Sequence, residues 1–347
     1  MKNYLSTAVR VMLVIGLLFA VSMPASALAA DKPIELSFSY TAPPQASLVK
    51  AIIAPWSAEI EEASGGKVKI LQHPGGTLVK SADAYDAVAT GLCDLAQIDP
   101  EENPGRFPLT AMNSLPFFYP DTVTAGVVAH ELLNKYTANT EFKEIKILIA
   151  APLHMAQYLG NKPVATLADF KGLRLRSSGK VEANTVQALG AIPIEVGTGE
   201  LASALDKKTV DGCFFTLSGA FAFGLKDVTR NRTMCNVVAR VFWIGMNKDK
   251  FNKLPADIQK IFEERANVAT TKRYAAAHAA MEKGTMGALI GIGKKMGLPP
   301  FVMLSKEERA KWRDACKPVW DEWVGEVTKK GLPGKAMMDD ALSMMAN

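Results

Sequence analysis

From Ile34 to Tyr40 the chain alternates apolar and polar residues, "IELSFSY", and a period of two predicts a strand with one buried face. After the turn "TAPPQAS", a helix is expected from about Ser47 to Ala63, stopped by Ser64-Gly65-Gly66. "KVKILQH" reads as a second strand that ends at Pro74-Gly75-Gly76, "SADAYDAVATG" as a helix, and "LCDLAQID" as a third strand. A strand–helix–strand–helix–strand order predicts a largely parallel sheet that holds its ligand at the strand C-termini.

The same grammar returns further along. "GLRLRSS" is a strand, "KVEANTVQALG" a helix, "AIPIEVG" a strand, "GELASALDKK" a helix, and "TVDGCFF" opens another strand. "AYDAVATGLCDLAQI" and "LASALDKKTVDGCFF" share a helix, a polar turn and an Asp before an apolar strand, a likeness that any α/β chain produces and that proves no duplication. After the strand "RVFWIGMN" (Arg240 to Asn247) the pattern changes. Ala256 to Gly297 contains no proline, Pro255 sits at a helix start, and one very long or once-broken helix is expected. Ser305 with Glu308 then forms a capping-box pattern ahead of a further helix. The fold class predicted is α/β with two lobes, each a mostly parallel sheet flanked by helices, and long C-terminal helices bracing or crossing between them.

The first thirty residues carry Lys2 and Arg10, the apolar run Val11 to Met23, and the small residues "ASALAA". That is the layout of a cleavable export signal over 1–30, against the alternative of an N-terminal anchor, and it predicts an exported, soluble protein that starts near Ala30 or Asp31. Without a cysteine after the cleavage region, a lipoprotein is not indicated. The formal charge of +5 includes Lys2 and Arg10, and the balance left, with no long basic run, argues against a nucleic-acid partner. Cys93, Cys213, Cys235 and Cys316 allow up to two disulfides, with Cys213–Cys235 the pair to test, or stand as four buried thiols.

Enzyme motifs fail in turn. "GIGKKMG" (Gly291 to Gly297) is neither GxGxxG nor a Walker loop, and there is no HExxH and no GxSxG. His73, His130, His154 and His278 are scattered without metal-ligand spacing, so each reads as structural or exposed. No catalytic residue, metal or cofactor is expected. An exported, two-lobed α/β chain of this kind is more naturally a binder that closes on a small ligand.

In "DFKGLRLRSSGK", Leu173 and Leu175 fall on one side of the strand and Arg174 and Arg176 on the other, where they are either solvated or a clamp for an anion. The segments "SGGKVKILQHPGGTL", "GLCDLAQI", "PGRFPLTAMNSLPFFY", "LADFKGLRLRSSG", "ALGAIPIEVGTGELASALDKKTVDG" and "NKDKFNKLPADIQ" occur in the order found in one family. Over nearly the whole mature length the chain resembles the extracytoplasmic solute-binding subunits of TRAP (tripartite ATP-independent periplasmic) transporters, the DctP-like family. The resemblance implies a two-lobed clamp that closes on an organic acid and delivers it to two membrane permease subunits. It also implies that Arg176, on the strand after "FKG", bonds the ligand carboxylate, since a guanidinium matches two carboxylate oxygens with parallel N–H donors. Arg174, deeper along the strand, keeps the solvated role.

Sialic-acid-type members carry a second arginine near the position of Ala156, and an asparagine where this chain has Phe215. One arginine with added aromatic surface predicts an aromatic or apolar monocarboxylate, such as an aromatic amino acid or an indole or keto acid. Phe215, with Phe214 as its alternative, is expected to stack on the ligand. Asp99 is expected either to bond a ligand amine or hydroxyl or to face water. Tyr40, Gln97, Thr198, Glu200 and Trp243 are expected in the wall, Glu200 alternatively supporting Arg176 or favoured by a helix dipole. Lobe 1 is assigned to 31–152 plus about 240–280, and lobe 2 to 153–239 plus about 281–347. The helix near Ala266 to Ala280 leaves monomer and homodimer both open. A ligand-presenting sensor and an exported enzyme are the alternative functions.

Overall fold

The structure is a computed structural model that describes residues 32–103 and 105–346; the export signal expected over 1–30 lies outside them. The strands are β1 (Ile34–Ser39), β2 (Val68–His73), β3 (Leu95–Ile98), β4 (Ile145–Pro152), β5 (Gln157–Gly160), β6 (Arg174–Ser177), β7 (Ile192–Glu195), β8 (Gly212–Phe215), β9 (Asn231–Met234), β10 (Val241–Asn247) and β11 (Val302–Met303). They form one sheet in the order β2-β1-β3-β10-β4 and another in the order β11-β9-β5-β8-β6-β7. β1 and β3 are parallel, as are β6 with β7 and with β8. Both sheets are nonetheless mixed. β10 inserts antiparallel between β3 and β4, and β5 inserts antiparallel between β8 and β9. Each intruder follows a crossing of the chain from one sheet to the other, which local periodicity does not reveal.

The helices are α1 (Ala54–Ala63), α2 (Ala84–Ala89), α3 (Thr122–Tyr136), α4 (Lys180–Ala188), α5 (Leu201–Asp206), α6 (Leu217–Ala222), α7 (Leu225–Val228), α8 (Lys248–Lys253), α9 (Ala256–Arg265), α10 (Val268–Lys295), α11 (Lys306–Lys329) and α12 (Gly334–Ala346). A π-helical turn, Val49–Ile53, precedes α1 within the stretch predicted as one helix. The long helical run is broken once, at Ala266 and Asn267, where the Asn267 side chain accepts from the Thr270 N–H at 3.0 Å and starts α10. Ser305 caps α11 by accepting from Glu308 N, but the Glu308 carboxylate accepts instead from Leu167 N at 2.6 Å and Trp312 Nε1 at 3.3 Å. Half of the expected box forms; the other half ties α11 to the segment before β6.

Alternation sorts the second sheet's residues between two cores. Tyr158 and Phe214 join Phe170, Leu175 and Trp312 on one face, while Leu159 and Cys213 join Leu201, Leu205 and Leu289 on the other. The first sheet buries Ile98, Leu132, Trp243 and their neighbours in a third core. α11 sends Trp312 and Cys316 into a core of the second sheet, and Val319, Trp323 and Val327 into that of the first. Met337, Met338 and Ala341 of α12 also pack in the first core. The two connections between the sheets run side by side, through bonds from Leu153 N to Arg240 O (2.7 Å) and from Ala156 N to Val238 O (2.8 Å).

All four cysteines are buried free thiols, Cys213 and Cys235 included, and burial pushes both of those up to about 12. Among the described residues no helix is long and apolar enough to cross a membrane.

Candidate functional site

The parallel strands β3, β6 and β8 end at one hollow. Gln97 belongs to β3 and Asp99 follows it, Arg176 is the third residue of β6, and Phe215 is the last of β8. All line a cavity of about 310 Å³ that draws residues from both sheets. That volume sits at the lower end of the ~300–1,000 Å³ typical of small-molecule sites.

Arg176 is 1% exposed, although it is charged. Its Nε donates to Val196 O (3.0 Å), Nη2 to Thr198 Oγ1 (3.1 Å) and Nη1 to Glu182 Oε2 (3.2 Å). A guanidinium has five N–H donors, so these bonds leave one on each terminal nitrogen. Glu182 is itself fixed by Ser178 N (2.9 Å) and Ser178 Oγ (2.8 Å). The side chain is therefore locked before a ligand arrives, which lowers the ordering cost of binding. Arg174, by contrast, pairs with Asp211 at the surface.

Thr198, Gln97 and Asp99 stand in the lining as expected, and Phe215 and Phe214 both reach it. Phe214 is mostly core, 4% exposed and packed near Phe170, and Phe215 presents the larger wall. The Phe215 ring lies over Gly219, where an added Cβ would fall 2.4 Å from Cε1; the missing side chain makes room for the ring. Phe223 meets Phe215 edge-on at 5.8 Å and extends the aromatic wall. Gln97 is buried, and its Oε1 has no hydrogen-bond partner among the described residues.

Four expectations are corrected. Tyr40 lies outside the lining because its ring packs on Phe38 and its hydroxyl donates to Gln72 Oε1 at 2.8 Å. Trp243 points into the first core near Phe142, on the face of β10 turned from the cavity. Glu200 lies outside the lining, exposed at the N-terminal end of α5, in keeping with the helix-dipole alternative; Arg176 is supported by Glu182 and Thr198 instead. Nor does Asp99 face water: it is 5% exposed and its Oδ2 accepts from Arg240 Nη2 at 2.7 Å.

Arg240 is the largest omission from the sequence reading. It gives the cavity a second guanidinium, where one was expected, and also pairs with Glu101 through Nε at 3.2 Å. Burial alone would lower its pKa, but Asp99 and Glu101 outweigh that and hold it firmly charged. Ala156, the position where other members carry an arginine, also lines the cavity. His154, one of the histidines expected to be structural or exposed, lines the cavity from the connection after β4. Its Nδ1 lies 2.6 Å from Glu282, its Nε2 2.7 Å from the His278 carbonyl, and the two imidazoles stack at 3.8 Å. Burial pushes His278 down to about 3, so that ring is neutral at ordinary pH. Neither histidine makes metal-ligand geometry; no cluster of metal-binding type occurs among the described residues.

The model for bacterial extracellular solute-binding protein family 7, DctP, matches residues 38–326. The C4-dicarboxylate-binding periplasmic protein DctP of Rhodobacter capsulatus is 27% identical over 319 residues, 90% of this chain and 92% of that protein. A TRAP solute-binding protein from Rhodoferax ferrireducens T118, solved with copurified benzoate, superposes with a TM-score of 0.83 at 22% identity, over 90% of this chain and 98% of that one. A marine metagenome TRAP solute-binding protein specific for aromatic acid ligands, solved with 3-hydroxybenzoate, gives 0.84 at 22% identity, over 91% and 99%. With a two-sheet fold, a ligand-sized hollow at the strand ends and a match across most of its length, the chain belongs to the DctP family of bacterial extracellular solute-binding proteins.

Proposed function

We propose that this protein captures an aromatic or apolar monocarboxylate in the periplasm and delivers it to the membrane subunits of a TRAP transporter. The observation that carries the reading is Arg176, buried, held on three sides and facing a cavity walled by Phe215 and Phe223. Its two remaining terminal N–H groups suit one carboxylate, and the rings suit a flat apolar body. The second guanidinium does not argue for a dicarboxylate, because the buried Asp99 carboxylate already neutralises Arg240. The orphaned Gln97 Oε1 favours a ligand that carries a hydroxyl or amine, since a buried acceptor without a donor is costly. The similar structures with benzoate and 3-hydroxybenzoate are in keeping with this ligand class.

Thermal unfolding against benzoate, 3-hydroxybenzoate, indole-3-acetate and succinate tests the reading. A ligand that binds only the folded state at a hundred times its Kd stabilises it by about 2.7 kcal/mol. Aromatic monocarboxylates are expected to raise Tm by several degrees and succinate by much less. A larger shift with succinate overturns the ligand class.

A further inference from the structure

Five charged side chains from both sheets converge at one edge of the cavity. Asp99 and Glu101 come from the turn after β3, Arg240 from the residue before β10, Arg176 from β6 and Glu182 from the first turn of α4. Asp99, Glu101, Glu182 and Arg240 also line a second hollow of about 340 Å³, so the charged group forms a partition between two spaces. Three carboxylates here meet two guanidiniums. When all are ionised, the partition carries one negative charge too many.

The three acids are not equivalent. Glu182 receives a backbone N–H and a hydroxyl from Ser178 besides Arg176, and Asp99 receives the Glu101 N–H at 3.2 Å besides Arg240. Glu101 accepts a hydrogen bond only from the Ser114 hydroxyl among the described residues, a bond that serves a protonated acid as well as an ionised one, and Arg240 Nε stands near it as an ion pair without a hydrogen bond. Burial pushes the Glu101 carboxyl up to about 7 against the pull of Arg240, and Asp99 and Glu182 push the same way while Arg176 opposes them. Other charges near the partition are met locally or lie in solvent. Lys180 of α4 pairs with Glu322 and Glu326 of α11, Lys330 lines only the second hollow, and Glu102 on the same turn is exposed.

A ligand carboxylate on Arg176 adds a fourth anion to two cations at a largely buried partition. We propose that Glu101 takes up a proton from solvent as the ligand carboxylate docks, so that the protein captures its acid together with one proton. The inference rests on the reading above that a carboxylate meets Arg176. The balance is simple: ionised Glu101, ligand carboxylate and one proton give neutral Glu101 and bound carboxylate, with no bond broken elsewhere. Below the Glu101 pKa the acid is already neutral and affinity is flat. Above it, each pH unit weakens binding toward tenfold, because the proton must be drawn from an ever more dilute supply.

Isothermal titration with benzoate in pairs of buffers whose ionisation enthalpies differ, Tris and phosphate at pH 8.5 and acetate and MES at pH 5.5, counts the proton directly. At pH 8.5 the observed heats are expected to differ by close to one proton's worth of buffer ionisation, and at pH 5.5 by close to none. Glu101→Gln, fixed in the neutral form, is expected to lose that difference and to bind benzoate roughly thirtyfold more tightly than wild type at pH 8.5. Benzoate bound by the wild type with no buffer dependence at pH 8.5 overturns the proposal, and this measurement stands even if the variant does not fold. An undiminished proton count in Glu101→Gln overturns the assignment to Glu101. If no aromatic or aliphatic acid binds at either pH, the functional reading falls and takes this inference with it, a result plainly different from proton-free binding.

Discussion

Arg174 and Arg176 share a strand, a face and a pairing partner. On β7 they sit opposite Ile192 and Ile194 in the same parallel register. Yet the Arg174 side chain is 43% exposed and the Arg176 side chain 2%. Arg174 lies at the start of the strand, over the Lys208–Asp211 turn, and bonds Lys208 O and the Asp211 carboxylate. Arg176 lies near the other end, where the 196–198 loop and α4 close over it. Alternation chooses the face of a strand; the cover brought by distant segments decides whether a cation on that face is wet or becomes a binding group.

The comparison breaks most visibly at Arg176. Arg176→Ala removes the donor pair for the ligand, and losing one side of a buried, hydrogen-bonded charge pair costs about 2–5 kcal/mol. Titration calorimetry should show benzoate affinity falling at least about 30-fold, with the folded state kept because Ser178 still holds Glu182. Unchanged affinity in a folded variant would remove the clamp.

A smaller effect is expected one bond away. Thr198→Val keeps the shape of the side chain but deletes the oxygen that accepts from Arg176 Nη2. Val196 O and Glu182 remain, so the guanidinium loosens without leaving. A net hydrogen bond to a charged group contributes about 1.5 kcal/mol, and a share of that should appear as a roughly fivefold loss of affinity. An effect as large as that of Arg176→Ala would mean that Thr198 touches the ligand itself.

How much of this is legible in the sequence follows from the range of each interaction. Turn signals such as Ser64-Gly65-Gly66, and local periods of two and 3.6, locate β1, β2, β6 and α4 closely. They do not locate β10 within its sheet, because its neighbours β3 and β4 are set by long-range pairing. The site divides along the same line. Arg176, Thr198 and Phe215 are found from family motifs at strand and loop ends. Arg240 and Asp99 are 141 residues apart, and no local pattern announces that they meet. Trp243 and Tyr40 show the converse error: a large aromatic near a strand end looks like cavity wall until the opposite face proves to hold the core.

The smallest expected effect sharpens the contrast most, because it concerns the residue that is nearly Arg176. Arg174→Ala removes a half-exposed guanidinium from Asp211, but that carboxylate keeps the Arg174 backbone N–H at 2.9 Å and has Lys162 Nζ at 3.4 Å. The Asp211 side chain is only 10% exposed but keeps these two partners, so no buried charge is stranded, and a pair whose cation is half exposed contributes about 1 kcal/mol or less. Urea unfolding should therefore show a loss within that range, shrinking as salt screens the wild-type pair. Benzoate affinity should stay within about twofold of wild type, since Arg174 lies outside the cavity lining. A loss of affinity comparable to that of Arg176→Ala, in a variant of wild-type stability, would show that cover does not separate the two arginines and that both act on the ligand.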